Sequence, residues 1–299
     1  MFNSIAELLK ICTTQNKTIS QVMLEYEIKQ EELTEQEIIA GMKQNLQVMK
    51  MAAKRGLEGI KSTTGLTGGD ALKLKNYIKT KSTLSGKNIL TACATAIATN
   101  EVNAAMGIIC ATPTAGSAGT IPGPLFILEE KLNLTESQMI NFLLTSGAFG
   151  LITANNAFIS GAAGGCQAEI GTSSAMAAAA AVEAAGGTPK QSAEAFAIAL
   201  ANMLGLVCDP VAGLVEVPCI KRNAAGASNA LISADMALAG ITSEIPPDEV
   251  IAAMYEIGVK MPKEFKETAE GGLAATPTGC AIKRRIFGEE SGCSGSCCK

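Results

Sequence analysis

The spacing of apolar residues along the first 60 positions predicts three helices. Apolar residues recur at helical intervals near the start of the chain, at Ile5, Leu8, Leu9 and Cys12. A second helix is predicted to begin within residues 18–20, where hydroxyl side chains can cap it, and a third covers residues 35–55. The apolar face of the third helix comprises Ile38, Ile39, Met42, Leu46 and Met49. We interpret residues 1–60 as a helical lead-in that packs on the main domain.

The rest of the chain alternates between apolar helical segments and glycine-rich loops. The helical segments are predicted over residues 85–110, 136–154, 172–185, 190–205, 223–240 and 247–259. Two loops combine glycine with hydroxyl residues, at positions 62–70 and 111–123. The alanine run within residues 172–185 indicates helices in close contact. We therefore expect an all-α fold with a single compact domain over residues 61–288, followed by a flexible, cysteine-rich tail at 289–299.

Composition supports helices and excludes several classes of function. Hydrophobic residues make up 47% of the chain but aromatic residues only 4%, which favours helices packed through small aliphatic side chains over a β-sandwich. The net charge of −4 offers no basic surface for nucleic acid. Charged residues are few, at 17%, so we expect a protein partner to cover part of the surface. The most apolar segment, residues 193–208, is interrupted by Glu194 and Asn202, and we expect no membrane span.

The cysteine and histidine counts narrow the chemistry further. The chain has ten cysteines and starts without a signal-peptide pattern, so a cytoplasmic location with reduced thiols is expected. Reduced thiols favour metal binding or catalysis over a disulfide framework. The chain contains no histidine, which excludes a serine-protease triad or a histidine general base within it. Cys12, Cys93 and Cys110 lie in apolar helical patterns and are interpreted as packing residues.

Three other cysteines are candidates for metal ligands. Cys166 lies in a glycine-bearing segment, Cys208 follows 42 positions later and Cys219 follows after 11 more. Prolines at 210 and 218 place the last two thiols at bends, where backbone N–H groups can point at sulfur. Three thiolates can hold three irons of a [4Fe–4S] cluster and leave the fourth iron open as a Lewis acid. The alternative for each cysteine alone is a buried structural thiol.

These segments resemble a known enzyme family. Gly-Cys-Gln-Ala-Glu-Ile-Gly around Cys166, the segment from Cys208-Asp-Pro to Pro-Cys219-Ile-Lys-Arg-Asn, and Gly-Gly-Leu-Ala at 271–274 are similar to the iron–sulfur L-serine dehydratases, specifically the alpha chain of the two-subunit form. The resemblance implies a helical catalytic domain with glycine-rich loops around a [4Fe–4S] cluster on Cys166, Cys208 and Cys219. It also implies deamination of L-serine to pyruvate and ammonia, in amino-acid catabolism and gluconeogenesis, by a cytoplasmic heterodimer with a beta chain.

The resemblance further implies how the reaction is divided between the chains. The open iron acts as a Lewis acid on the substrate hydroxyl, and a base removes the Cα proton. Family members are thought to use a histidine of the beta portion as that base, and since this chain has none, we expect the beta chain to supply it. Some single-chain relatives cap the fourth iron with a cysteine near the C-terminus. Here Cys280 is the candidate, along with the tail cysteines Cys293, Cys297 and Cys298.

Candidate substrate-binding residues come from the loops and from the cysteine segments. The backbone of the first loop, at Thr67, Gly68 and Gly69, can cradle a carboxylate or can simply connect two helices. Lys73 and Arg222 are possible carboxylate donors, with a solvated surface charge as the alternative for each. The remaining candidates match family positions near the site, and they are Thr114, Ser117, Asn156, Ser160 and Asn223.

Three rival functions stay open at this point. An L-cysteine desulfidase would use the same kind of cluster and release sulfide instead of water. A pyridoxal-phosphate dehydratase is disfavoured because the chain lacks the Ser-x-Lys-x-x-Gly signature of that family. A non-enzymatic iron–sulfur or zinc module would rely on the tail cysteines.

Overall fold

The regular structure of the chain is helical. The computed structural model describes residues 2–80 and 82–288, and within these ranges the extended pairings are two isolated bridges, Lys61 with Gly68 and Cys208 with Lys266. The helices are α1 (Ile5–Gln15), α2 (Ile19–Glu31), α3 (Glu35–Leu57), α4 (Asp70–Thr80), α5 (Lys87–Ala104), α6 (Pro122–Leu132), α7 (Glu136–Asn156), α8 (Gly161–Gly164), α9 (Thr172–Ala184), α10 (Pro189–Ala201), α11 (Cys219–Leu238), α12 (Pro247–Lys260) and α13 (Pro277–Phe287). A π-helical turn, Gln167–Gly171, leads directly into α9. The predicted all-α fold is confirmed.

Threonine capping boxes start four of the helices. The hydroxyl groups of Thr18, Thr34, Thr135 and Thr188 each accept a hydrogen bond from the backbone N–H three residues later. The Gln or Glu at that later position bonds back to the threonine N–H in every case. Both otherwise unpaired donors are thereby satisfied, which fixes where α2, α3, α7 and α10 begin.

Helix α9 lies at the centre of the core. Its residues from Thr172 to Val182 are all buried, and it packs against α7, α10 and α11. The alanine run at 177–181 presents only methyl groups, so these neighbouring helices approach it closely. On one side the rings of Phe149 and Phe196 stack with their centroids 5.0 Å apart. The close helix contacts expected from the alanine run are thus present.

The lead-in helices share this core and are attached to distant helices by carboxylates. Phe2, Leu8, Ile19 and Met49 belong to the same buried cluster as α7, α9 and α10. The carboxylate of Asp248 accepts hydrogen bonds from the N–H groups of residues 5 and 6, at 2.8 and 3.0 Å.

The second helix is held in the same way by Glu183, which lies at the end of α9. Its carboxylate accepts from the N–H groups of Ile19 and Ser20, at 2.9 and 3.3 Å, and from the Thr145 hydroxyl at 2.9 Å. A negative charge at a helix N-terminus stabilises the helix, so each carboxylate favours docking of the helix that it caps. The predicted division into lead-in, catalytic domain and tail stays a prediction, and residues 289–299 lie outside the described residues.

The structure differs from the predicted elements at four helices and at several ends. Helices α4, α6, α8 and α13 were not predicted, because each is short and α6 and α13 carry prolines in the first turn that look like loop signals in a sequence. The predicted loop at 111–123 accordingly ends at Ile121. The helix predicted over 223–240 begins earlier, at Cys219, and the one predicted over 190–205 ends at Ala201. Among the described residues, no helix combines the length and apolar character needed to cross a membrane.

Candidate functional site

Three buried cysteines from separate segments converge on one side of the π turn. Cys166 immediately precedes that turn, Cys208 lies in the extended pairing with Lys266, and Cys219 is the first residue of α11. Their exposed fractions are 1%, 2% and 5%. The Sγ atoms of Cys166 and Cys208 and a carboxylate oxygen of Glu169 all lie within 4.8 Å of one another. The Cys219 thiol lies outside this group of three but interacts electrostatically with both Cys166 and Glu169.

The backbone around Cys208 is fixed and leaves space beside its sulfur. The N–H of Cys208 donates to the Phe265 carbonyl and the N–H of Glu267 donates to the Cys208 carbonyl, both at 2.8 Å. Gly161 faces the thiol: a Cβ there would lie only 2.6 Å from the Cys208 Sγ. Any other residue at 161 would therefore collide with the sulfur, and glycine keeps that space clear.

Two of the three thiols, Cys208 and Cys219, are costly to ionise where they lie. The contact with Cys166 and burial raise the pKa of the Cys208 thiol above its ordinary value. Burial and the neighbouring Cys166 raise the pKa of Cys219 likewise. A positively charged metal group offsets this cost because it stabilises the thiolate form. Three buried thiols with cleared space beside one of them therefore fit an iron–sulfur group held by Cys166, Cys208 and Cys219.

An ion pair connects this site to the Gly271-Gly272 segment. Arg222 lies one turn into α11, and its guanidinium contacts Asp209 at 2.8 Å and donates to the Val207 carbonyl at 2.8 Å. The other Asp209 oxygen accepts from the Leu273 N–H at 2.7 Å. Burial opposes the charge of Arg222, but the nearby Cys166 and Asp209 outweigh it and hold the Arg222 pKa above its ordinary value. Arg222 thus has protein partners, and its predicted contact with a substrate carboxylate stays a prediction.

The first glycine-rich loop is held against the cysteine segment by Glu216. The hydroxyl groups of Thr64 and Thr67 donate to the two Glu216 carboxylate oxygens at 2.7 and 2.6 Å. Glu216 is only 4% exposed and lies between Cys208 and Cys219. The hydroxyl of Thr67 is therefore already occupied, and its N–H donates to the Ser62 hydroxyl at 3.2 Å. The predicted contact of residues 67–69 with a substrate carboxylate stays a prediction.

The end of this loop is attached to α5. Gly68 and Gly69 have φ values of 131° and 78°, which side-chain-bearing residues rarely adopt. The buried Glu101 accepts from the N–H of Asp70 at 2.7 Å, and burial raises the pKa of Glu101. Lys73 pairs with Asp70 at 2.8 Å and its side chain is largely exposed. Its predicted contact with a substrate carboxylate stays a prediction, beside the alternative of a solvated surface charge.

The second glycine-rich loop is held by Glu169 and two asparagines. Thr114 donates a short hydrogen bond to the Glu169 carboxylate, and its hydroxyl also lies 3.1 Å from that of Ser117. Burial raises the pKa of Glu169, and the Thr114 hydrogen bond partly offsets that rise. The side-chain amides of Asn223 and Asn100 both donate to the Gly116 carbonyl, at 2.7 and 2.8 Å. Thr114, Ser117 and Asn223 are thus brought together around the π turn.

The remaining candidates are placed less directly at the thiols. Asn156 ends α7 and donates its amide to the carbonyls of Asn3 and Ile152, at 2.8 Å each. Ser160 precedes α8, one residue before the Gly161 that faces Cys208. Cys280 is buried in the first turn of α13, and its sulfur lies 3.9 Å from the Ala274 carbonyl. The tail cysteines lie outside the described residues.

Sequence reasoning missed the acidic residues of the site. Glu169, Asp209, Glu216 and Glu267 were not singled out, although the first three lie within the very segments quoted for the cysteines. A signal was available: a carboxylate one to three residues from a candidate ligand is unusual in a chain with few charges.

Fold and site together define a helical protein with a buried thiol and carboxylate centre suited to a soft metal group. The family model for the serine dehydratase alpha chain matches residues 14–274, and the chain belongs to this family. A Bacillus subtilis protein named "Probable L-serine dehydratase, alpha chain" is 64% identical over 288 residues, which cover 96% of each chain.

Two further relatives show the range of chain lengths in the family. The L-serine dehydratase alpha chain of Peptoniphilus asaccharolyticus is 43% identical over 290 residues, covering 97% of this chain and 99% of that one. The L-serine dehydratase of Streptomyces coelicolor is 38% identical over 289 residues, covering 93% of this chain but only 62% of its own longer chain.

Proposed function

We propose that the chain is the alpha subunit of a [4Fe–4S]-dependent L-serine dehydratase, which converts L-serine to pyruvate and ammonia. The observation that carries the proposal is the convergence of three buried thiols, Cys166, Cys208 and Cys219, in a member of the serine dehydratase alpha chain family. The names of the relatives support L-serine as substrate. A cluster held by three cysteines supplies a Lewis acid for the elimination of hydroxide, which is otherwise a poor leaving group.

The residues of this chain would hold and enclose the substrate. Glu216 and Glu169 fix the two glycine-rich loops next to the thiols, through Thr64, Thr67 and Thr114. Loops fixed in this way can orient a small amino acid without regular secondary structure around it. The Asp209–Arg222 pair holds the 271–274 segment next to the Cys208 segment.

The base that removes the Cα proton is proposed to come from the beta chain. This chain has no histidine, and the carboxylates Asp209 and Glu216 at the site accept hydrogen bonds from other segments. The names of the relatives as alpha chains support a separate partner, and the longer Streptomyces chain is consistent with a fused second part. The active site is then completed only in the heterodimer.

The decisive test measures iron, sulfide and turnover together. The chain is prepared without oxygen, alone and with its beta chain, and pyruvate formation from L-serine is compared with sulfide release from L-cysteine. We expect about four irons per chain, as the formula of the cluster requires, and pyruvate only when the partner is present. Sulfide release from L-cysteine at a higher kcat/KM would instead identify a desulfidase.

Cys208→Ser should lose both the cluster and the activity. We expect a fall in kcat of at least about 1000-fold, which corresponds to about 4 kcal/mol in activation free energy. Cys93→Ser is the matched control, since this thiol is also buried but its hydrogen-bond partners are not residues of the site: they are the Ala224 carbonyl, at 3.4 Å, and the Ser228 side chain. Retention of iron and turnover by Cys208→Ser would refute the assignment of the ligands.

A further inference from the structure

Glu267 places a carboxylate at the edge of the thiol site. The position that a Cβ at Gly161 would occupy lies 2.6 Å from the Cys208 Sγ and 3.3 Å from a Glu267 carboxylate oxygen. The same small space beside Gly161 is therefore bordered by a thiol on one side and by a carboxylate on the other. The electrostatic influence of Glu267 extends to Cys208, Cys219 and Glu169.

The backbone holds this carboxylate in place at some conformational cost. Glu267 has a φ of 63°, in the left-handed region that residues other than glycine seldom occupy. Its N–H donates to the Cys208 carbonyl at 2.8 Å, so the residue is attached directly to a candidate ligand. Strained backbone of this kind persists where the surrounding structure determines it and is common at functional sites.

Among the described residues, the Glu267 carboxylate makes no hydrogen bond or ion pair. The other acidic groups of the site differ in this respect. Glu169 accepts from Thr114, Glu216 accepts from two threonines, and Asp209 pairs with Arg222 and the Leu273 N–H. Glu267 is also exposed, at the mouth of the site instead of inside it. It is the acidic group that remains available to a ligand entering the space beside Cys208.

We infer that Glu267 binds the α-ammonium group of the amino-acid substrate. The inference rests on the proposed function, because the substrate is then a zwitterion that carries one ammonium and one carboxylate. A free carboxylate is the natural partner of an ammonium group, and a charge-assisted hydrogen bond between them fixes orientation as well as affinity. Glu267 would therefore distinguish amino acids from hydroxy acids of the same shape.

The test distinguishes recognition of the ammonium group from recognition of the rest of the ligand. Wild-type and Glu267→Gln proteins are compared as anaerobically assembled complexes with the beta chain. L-alanine and L-lactate serve as non-reacting probes, since they share a skeleton and differ only in ammonium against hydroxyl. Their binding is measured by calorimetry, and the inhibition and turnover of L-serine are measured alongside.

We expect Glu267→Gln to weaken the binding of L-alanine about 10-fold and that of L-lactate less than about twofold. This is the size of effect expected for a charge-assisted hydrogen bond at a partly solvated position. The KM for L-serine should rise by about the same 10-fold, with kcat little changed. Glu267→Asp keeps the charge but shortens the side chain, and an intermediate KM is expected. Glu264→Gln is the matched control, because Glu264 is exposed on the same segment and, among the described residues, no hydrogen bond or ion pair joins its carboxylate to the groups around the thiols.

Two results would overturn the inference. If Glu267→Gln weakens the binding of both probes equally, the substitution has a general effect on the site. If kcat falls while KM is unchanged, the residue has a role in the chemistry itself. Iron content and the thermal midpoint of each variant are recorded, so that loss of the centre is not mistaken for loss of recognition. Failure of the proposed function has a different signature, namely no pyruvate from L-serine in the wild-type complex.

Discussion

One continuous helical segment, from residue 167 to 184, joins two regions built on opposite principles. Its first part, the π turn, contributes Glu169 to a site held together by hydrogen bonds between loops. Its second part, α9, is packed through alanine methyl groups against three neighbouring helices. The structure of the packed region is fixed by the close approach of helix backbones, whereas the structure of the site is fixed by the hydrogen bonds that its carboxylates accept.

The comparison shows how loops can be made rigid without regular structure. In the site, Glu169, Asp209 and Glu216 each accept a hydrogen bond from a different segment of the chain. A buried carboxylate without a partner is costly, so each of these contacts specifies where a loop must lie. In the packed region the helix positions are fixed instead because no side chain larger than a methyl group fits between the backbones.

The largest effect on stability is expected where two helix backbones touch. A Cβ at Gly56 of α3 would lie 2.1 Å from the Ala98 carbonyl oxygen of α5, so Gly56→Ala forces the two helices apart. We expect a loss of about 3 kcal/mol in the free energy of unfolding, measured by urea denaturation. Activity per folded molecule should fall as well, because α5 also carries Asn100 and Glu101, which hold the two glycine-rich loops.

Gly41→Ala on the same helix is the control for this change. No atom lies within 4 Å of the position that its Cβ would take, so alanine there should stabilise α3 by about 0.5–1 kcal/mol. A destabilisation at position 41 as large as that at 56 would show that helix contact is not the cause.

A smaller effect on stability but a clear effect on activity is expected at Glu216. Glu216→Gln keeps the shape but turns one acceptor toward Thr64 or Thr67 into a donor. We expect the free energy of unfolding to fall by about 1 kcal/mol and kcat/KM to fall about 10-fold, since the first loop loses its fixed position. Thr67→Val should have a similar effect, and the double variant should be less than additive. Full additivity would mean that the two residues act separately.

The smallest effect is a pH dependence from Glu101. Burial raises the folded-state pKa of Glu101 above 4.5, so the folded protein binds the proton more tightly than the unfolded chain does. Stability from this residue is therefore fully present below pH 4.5 and is lost as pH rises through the folded pKa. Glu101→Gln should flatten that part of the stability profile by about 1 kcal/mol or less. An unchanged slope in urea titrations at several pH values would contradict this.

Much of the fold follows from local patterns in the sequence, whereas little of the site does. Helices α3, α7, α9 and α12 were predicted because their apolar spacing or alanine content is visible within one segment. Helix α6 was missed because Pro122 and Pro124 resemble loop residues until the first turn of a helix is known to contain them.

The partners of the site residues are long-range and leave no local signal. Glu216 meets Thr64 and Thr67 across about half the chain, and Glu267 reaches the space beside Gly161 only because the 265–267 segment pairs with Cys208. The cysteines were found because their residue type restricts the chemistry that they can perform. Carboxylates are common on every surface, so only the folded arrangement distinguishes those that hold a loop from those that face solvent.

The carboxylates that cap the first two helices bear on how the protein can be divided. A fragment cut near residue 61, at the boundary that the sequence suggests, would leave Asp248 and Glu183 without the backbone donors of residues 5, 6, 19 and 20. It would also uncover apolar side chains of the core cluster to which Phe2, Leu8 and Ile19 belong. We therefore expect recombinant pieces designed from the apparent domain limits to aggregate, and the intact chain to unfold cooperatively with its first helices included.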